Sequence, residues 1–531
     1  MRLKAIIIVL INLGLNNSLF AQQANFYFDF EPSSNTVPNK ATLTYDAGSI
    51  YDIMQPKYSV GINGFALDLS SDAMLRKPLI IKDKELSHYG NNFSFAFQIW
   101  IKTKVNARMG TSIAGNMINK KNGKKGWLIS TRENGAWFLE INDGKANFEY
   151  KPTTKQKIND GKWHQIIFSM DAENEDMWMY LDGKNVAIYN ISGFKSIENS
   201  AATFIGGSNR KSGFDGQWDA FNGYIDEVKL WNRHISSKEV AELYGKYRKL
   251  NIQTPETANP QLKILSWNIW HGGHEFGENV GLERVIDIIK SSQADIVGLI
   301  ETYGSAEEIA DSLGYYFYLI SSNLSIMSRY PITETIHAFK PFNFGGAKIA
   351  LSQNKELIFL NTWLHYLPDY CRNIEEGKMS ATELIKDEGK TRHSELKQIL
   401  KEVKTYIDNT DSIAVIMAGD FNSGSHLDWT DHTKGLHNGY VIEWPESKEM
   451  INKGLKDSFH ELNIDPLKDP GFTWSPLASS ASNKYGIRDR IDYIYYKGSQ
   501  LRPIESKVLD YHPIIFPSDH AAVVTVFQLV K

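Results

Sequence analysis

The chain has 531 residues, too many for one ordinary core, so two or more domains are expected. With 42% hydrophobic and 23% charged residues it has a globular composition, and a formal charge of −4 excludes the global basic field that advertises nucleic acid. The single cysteine, Cys371, excludes an intrachain disulfide.

The N-terminus, "MRLKAIIIVLINLGLNNSLFAQQ", places Arg2 and Lys4 before an apolar stretch and Ala21 after it. This pattern predicts a signal peptide over residues 1–21, too short to span a bilayer, with a buried first strand as the alternative. The protein is expected to be exported (periplasmic, cell-surface or secreted) with no transmembrane segment after cleavage.

Residues 25–247 read as all-β. Alternating runs recur between turn signals: "FSFAFQIWIKT", "GWLISTRENGAWFLEI", "KWHQIIFSMD" and "MWMYLDGKNVAIY", with "ENGA" and "LDGK" as hairpin turns. Many short strands at this spacing predict a sandwich or jelly roll. "DGKWHQIIFSMD", "MWMYLDGK", "FIGGS" and above all "IDEVKLWNRHIS" resemble the laminin-G, concanavalin A-like module. That resemblance covers nearly all of this half and implies a β-sandwich that binds glycans or packs beside a catalytic domain. Asp29 and Asp226 are its candidates for a structural Ca²⁺ site, with capping or turn roles as the alternative.

Residues 248–260, "RKLNIQTPETANP", are polar with two prolines and read as a linker. From 261 to 531 apolar runs alternate with helical stretches, "GLERVIDIIKSS" and "TRHSELKQILKEVKTYID", which indicates an α/β domain. This half carries 27 Lys and Arg against 36 Asp and Glu, so no stable nucleic-acid partner is expected.

Five apolar runs of this half carry polar groups of one chemical kind. "LKILSWN" ends at Asn268, "ADIVGLIET" reaches Glu301, and "SIAVIMAGDFN" ends in Asp420 and Asn422. "DRIDYIYY" holds Asp492, and "FPSDHAAVVTVF" opens with Asp519 and His520. Each alone has an ordinary reading as a turn, a capped strand end or a surface ion pair. Together they gather carboxylates, amides and an imidazole at one sheet edge. Hard divalent cations take oxygen ligands and share a substrate's phosphate oxygens. A histidine paired with a buried carboxylate keeps its tautomer and can act on a proton. The set predicts metal-assisted attack on phosphorus.

"SWNIW", "IVGLIET", "AGDFN", "DRIDYIY" and "PSDHAAV", in that order, resemble the endonuclease/exonuclease/phosphatase superfamily. The resemblance spans nearly all of 261–531 and implies a DNase I-like, four-layered α/β sandwich. It implies Glu301 as principal ligand of Mg²⁺ (or Mn²⁺), with Asn268 beside it and Asp519 completing the metal region. It further implies that Asp420 orients or deprotonates the attacking water, Asn422 holds the phosphate, and Asp492 braces His520. Whether Asp420 or His520 is the base stays open.

One departure stands out. Many members carry "NTHL" where this chain has "NTWLHY", with Trp363 at the histidine position and His365 two residues on. Two residues on a strand return to the same face. His365 is therefore expected to point at the phosphate site, with Trp363 as an apolar wall suited to an apolar or sugar-ring face. His271, His426 and Arg392 are further candidate substrate contacts, each with a surface role as the alternative. The expected function is an exported Mg²⁺-dependent phosphodiesterase acting on a small, lipid-linked or glycan-linked phosphoester. The alternatives are an extracellular nuclease and a carbohydrate-binding protein with an inactive second domain.

Overall fold

The computed structural model describes residues 24, 26–30, 57–70, 78–81, 94–105, 110–120, 123–211, 218–250, 258–476 and 488–530. The predicted signal peptide lies outside the described residues, as does most of the predicted linker. The chain divides into two compact units, Met1–Ile252 and Gln253–Lys531. Among the described residues, no helix is long and apolar enough to cross a membrane.

The first unit is a sandwich of two antiparallel sheets. One runs, in spatial order, Tyr58–Val60, Phe65–Asp68, Tyr224–Trp231, Phe95–Lys102, Trp163–Asp171, Asp176–Leu181, Lys184–Asn190. The other runs Asn147–Tyr150, Trp137–Asp143, Gly123–Thr131, Ser112–Gly115, Thr203–Ile205, Leu79–Ile81. Inward residues of the two sheets meet in an aromatic core, where Trp127 lies 4.7 Å from Phe97 and 5.2 Å from Phe168, centroid to centroid. The "LDGK" turn takes the predicted form. Asp182 and Gly183 both have positive φ, the mirror-image geometry whose twist matches a hairpin.

Asp226 spends its carboxylate on backbone donors. The N–H groups of Ile62, Asn63 and Glu227 donate to it at 2.9, 3.2 and 2.7 Å. Burial nonetheless pushes its carboxyl up to about 7. The turn role accounts for this residue.

The second unit also stacks two sheets. The first runs Tyr316–Leu319, Leu324–Ser328, Ile296–Ile300, Gln261–Asn268, Ala522–Leu529, Leu501–Leu509. The second runs Ile332–Ile336, Phe344–Ser352, Lys355–Trp363, Val415–Asp420, Asp492–Lys497, Lys456–Asp457. Each sheet contains one parallel pair, Gln261–Asn268 with Ile296–Ile300 and Lys355–Trp363 with Val415–Asp420. Parallel neighbours bring their C-terminal ends to the same edge, so Asn268 and Glu301 share one edge and Trp363 and Asp420 the other.

Alternation along the strands decides what faces inward. Ile358, Leu360, Val415 and Met417 pack outward against Leu396, Ile399 and Leu400 of helix Arg392–Glu402. The intervening Asn361 points between the sheets and donates to Leu299 O and Ser325 O, both at 3.0 Å. The helical stretch read over 391–408 is two helices, Arg392–Glu402 and Lys404–Asp408, broken at Val403. Two helices lie in the polar stretch 367–391. They are Tyr370–Glu375 and Ala381–Glu388, the second opened by a capping box between Ser380 and Glu383. Cys371 is buried there, and burial holds its thiol well above the ordinary range.

Candidate active site

Asn268 is the hinge of the site. It is 1% exposed, and its Nδ2 donates to Glu301 Oε1 at 3.2 Å and to Asp420 Oδ2 at 3.1 Å. One amide thereby ties together two carboxylates carried by opposite sheets. Its own Oδ1 accepts from Trp270 N at 3.0 Å, which fixes the amide's orientation.

The Glu301 backbone is held at φ +57°, uncommon for a residue with a long side chain. Three bonds keep it there. Asn323 Oδ1 accepts from Glu301 N at 3.0 Å, Gly272 N donates to Glu301 O at 2.7 Å, and His271 N donates to Oε2 at 3.2 Å. Trp270 and His271 share positive φ, so strain collects where the strand ends meet the "WHGG" turn.

Asp420 ends its strand beside Asp492, the two being register partners. The glycine before it is obligatory. Gly419 has φ +144°, and a Cβ there would sit 2.0 Å from Thr362 O. The Asp492 Oδ2 atom lies 2.9 Å from His520 Nδ1, and His520 Nε2 lies 4.0 Å from Asp420 Oδ2. All three side chains are buried. Burial alone would lower the proton affinity of His520, but the Asp492 and Asp420 charges outweigh it and hold the imidazole well above its usual value. Burial, then the Asp492 charge, raises Asp420 above the ordinary carboxylate range. Asp519 is buried next to His520, and its charge acts in the same direction as the other two.

The donor set suits a hard divalent cation, since carboxylate oxygens of Glu301, Asp420 and Asp492 dominate it, with the Asn268 amide holding two of those carboxylates in place. Asp492 Oδ1 is buried without a hydrogen-bond partner among the described residues, an acceptor that a cation or its water would satisfy. Among the described residues, Asp420, Asp492 and His520 form the one group of three ligand atoms within 4.8 Å of each other. The cluster is thus centred on residues read as proton-handling groups, with Glu301 joined to it through Asn268.

Other expected residues fall elsewhere. His365 lies beyond the strand, which stops at Trp363, so strand alternation does not place it, and its ring centroid is 6.1 Å from that of Trp363. His365 is exposed, with Nδ1 3.1 Å from Leu367 N and its ring stacked on Tyr366. Arg392 is neither a phosphate clamp nor a solvated helix start. It is fully buried, its Nε donates to both Glu388 oxygens at 2.9 and 2.8 Å, and it holds the carbonyls of His365 and Pro368. His426 is half-buried and directs both its backbone N and its Nδ1 at Ser447 Oγ, at 2.8 and 2.7 Å. Asn422 has φ +50° and donates its amide to Leu364 O at 2.9 Å, bracing the neighbouring strand end. His271 is exposed, and its Nδ1 lies 2.6 Å from Glu275.

Several supporting residues had no signal strong enough to single them out. Ser518 Oγ donates to Asn268 O at 2.7 Å and accepts from His520 N at 3.0 Å. Thr473 Oγ1 accepts from Asp492 N at 3.1 Å. Asn361 was missed as well, although a lone amide inside the apolar run "ELIFLNTW" is a signal that could have found it.

The family model of the Concanavalin A-like lectin/glucanases superfamily matches residues 80–241. That of the Endonuclease/Exonuclease/phosphatase family matches residues 265–520. Among curated relatives, the uncharacterized protein F14F9.5 of Caenorhabditis elegans is 30% identical over 255 residues, which are 45% of this chain and 79% of that one. Among solved structures, truncated Caenorhabditis elegans TDP2 aligns with 50% of this chain and 98% of its own, at 19% identity and a TM-score of 0.37. An AP endonuclease from Archaeoglobus fulgidus aligns with 50% of this chain and 100% of its own, at 17% identity and the same TM-score of 0.37.

Proposed function

The chain belongs to the Endonuclease/Exonuclease/phosphatase family and is a metal-dependent phosphoester hydrolase, and from that premise we propose an exported, Mg²⁺-dependent phosphodiesterase. Its substrate is a small phosphoester linked to a lipid or a glycan. The observation that carries this reading is Asn268, whose amide joins Glu301 to Asp420 beside the Asp492–His520 pair. The acidic balance of residues 261–531 supports a small substrate over a polyanion. The concanavalin-like unit supports a target bearing sugar.

Glu301 would hold the cation, its carboxylate positioned by the Asn268 amide, with Asp519 nearby. When bound, it supplies charge neutralisation at the phosphoryl oxygens. The chain's own groups do the rest. Asp492 fixes the His520 tautomer through Nδ1, leaving Nε2 free to donate to a phosphoryl oxygen. Asp420 shares that space, positioned by Asn268 and by Asn422 N at 2.9 Å, to orient the attacking water and take its proton.

Full-length protein should hydrolyse a phosphodiester with Mg²⁺ or Mn²⁺ and stop when the cation is chelated. Glu301→Ala should lose activity and weaken cation binding measured by calorimetry. Full turnover in chelator would overturn the reading. A panel of plasmid DNA, RNA, phosphocholine lipid and sugar-linked phosphodiesters assigns the substrate, and salt-sensitive plasmid cleavage would make it a nuclease instead. Residues 261–531 alone should turn over small soluble substrates about as well as the whole chain. A folded but inert fragment would refute the assignment of all the chemistry to that half.

A further inference from the structure

We propose that Trp363, Phe342 and Tyr366 form a preformed subsite for a flat ring carried on the alcohol side of the phosphoester. This rests on the phosphoesterase reading above and names the class of substrate it serves.

Trp363 is on the catalytic face by register. It pairs with Asp420 across the parallel strands, and paired positions present side chains to the same side. Asp420 faces the gap between the sheets, where Asn268 reaches it. Asn361, two residues before Trp363, faces the same gap. Trp363 therefore stands beside the phosphate-handling carboxylate.

Its backbone is pinned on both sides. Trp363 N donates to Asn343 O at 2.8 Å, and Asn343 Nδ2 donates back to Trp363 O at 3.0 Å. Leu364 N donates to Asp420 O at 3.0 Å. Two more rings join it. Phe342 meets Trp363 edge-on at 5.7 Å and 90°, and Tyr366 lies 6.2 Å away at 44°. Phe342 and Tyr366 are 41% and 54% exposed while Trp363 is 9% exposed, so the apolar surface facing water is that of Phe342 and Tyr366, with Trp363 as the wall behind them.

That exposure is structurally enforced. Asn323 donates to Phe342 O at 2.8 Å with the same side chain that accepts from Glu301 N, so Phe342 is coupled to the cation-binding edge. Buried Arg392 grips His365 O at 2.9 Å and Pro368 O at 3.0 Å, the carbonyls flanking Tyr366 and Leu367. Arg392 is thus a positioning residue for the loop that carries Tyr366. One edge-to-face pair and one tilted ring, held rigidly, favour a flat partner over a flexible chain, because π-faces and ring edges are directional.

The test is calorimetry on the full chain with Mg²⁺, using inorganic phosphate, n-butyl, n-octyl and phenyl phosphate, thymidine 5′-monophosphate and glucose 1-phosphate. Phenyl phosphate should bind about tenfold tighter than butyl phosphate, the scale of one ring stacked on an aromatic side chain. Phe342→Ala and Tyr366→Ala should each bring that ratio close to one. Arg392→Lys, which keeps the charge and loses the planar fork, should lower the same ratio, a change that lost stability alone does not produce. The tighter of the phenyl and thymidine compounds identifies the ring as aryl or nucleobase, and tightest binding of glucose 1-phosphate would overturn a flat ring in favour of a puckered sugar. Equal affinity for butyl and phenyl phosphate, or a ratio untouched by both alanine variants, would overturn the subsite. Affinity that climbs from butyl to octyl phosphate would also overturn it, in favour of an acyl chain. If inorganic phosphate does not bind and no phosphodiester turns over, the phosphoesterase reading fails and the subsite with it.

Discussion

His520→Ala should slow phosphodiester turnover by roughly 10²–10⁴ at saturating cation, the usual cost of losing a positioned acid or base. His520 is 6% exposed and its Nδ1 is spent on Asp492, so only Nε2 can serve the substrate. Asp492→Asn preserves the shape of that contact but removes the charge that opposes burial in holding the imidazole protonated. It should therefore lose most of what His520→Ala loses. The two residues act as one unit, so the double variant should be scarcely slower than the worse single one. The measurement is kcat for the four proteins, with circular dichroism to establish folding and calorimetry to establish cation binding. A loss below about tenfold in a folded, cation-bound His520→Ala would remove this residue from the chemistry. A double-variant loss equal to the product of the single losses would show that Asp492 and His520 work independently.

The strand-end residues were legible because two independent patterns coincided on them. Apolar runs fixed where buried strands lie, and a polar group closing such a run must have a partner or a task. Asn268, Glu301, Asp420, Asp492 and His520 meet in the structure for that reason. The orientation of His365 was not legible, because the ladder ends at Trp363 and period-two alternation does not apply beyond it. The two helices within the polar stretch 367–391 carry little signal in the sequence, because they are short and their burial comes from tertiary contacts. Tyr370, Ile374 and Leu384 pack with Trp429 and Trp444, which lie far along the chain. The local start signals are the Asp369 N-cap of the first helix and the Ser380–Glu383 capping box of the second. Arg392 was opaque for a related reason. A helix-opening arginine resembles a solvated one until Glu388, one turn earlier, closes over it.

Arg490→Met should destabilise the second unit by roughly 3–5 kcal/mol, the cost of removing one partner from a buried ionic cluster. Arg490 is 2% exposed, with Nε 2.9 Å from Asp428 Oδ2 and Nη1 2.6 Å from Asp457 Oδ2. Its guanidinium also lies over the Phe459 and Tyr493 rings, at 5.3 and 4.7 Å, so the methionine keeps some packing while the charge is lost. Asp457 meanwhile caps helix Ser458–Leu462 through its other oxygen. Without Arg490, two carboxylates stay buried with no full counter-charge. The sign of the pH dependence follows. Burial raises Asp428, but Arg490 outweighs it and keeps the carboxyl below its ordinary value. In the wild type this contribution is present above the unfolded carboxylate range, about pH 4, and fades as pH falls through the lowered value. In the variant Asp428 loses the charge that outweighs its burial and prefers its protonated form. The deficit relative to wild type should therefore be largest near neutral pH and shrink on acidification towards about pH 5. Urea unfolding followed by tryptophan fluorescence at both pH values measures it. A deficit that is under about 1 kcal/mol, or that grows as the solution is acidified, would mean the cluster is solvated and contributes little to the fold that presents Asp492.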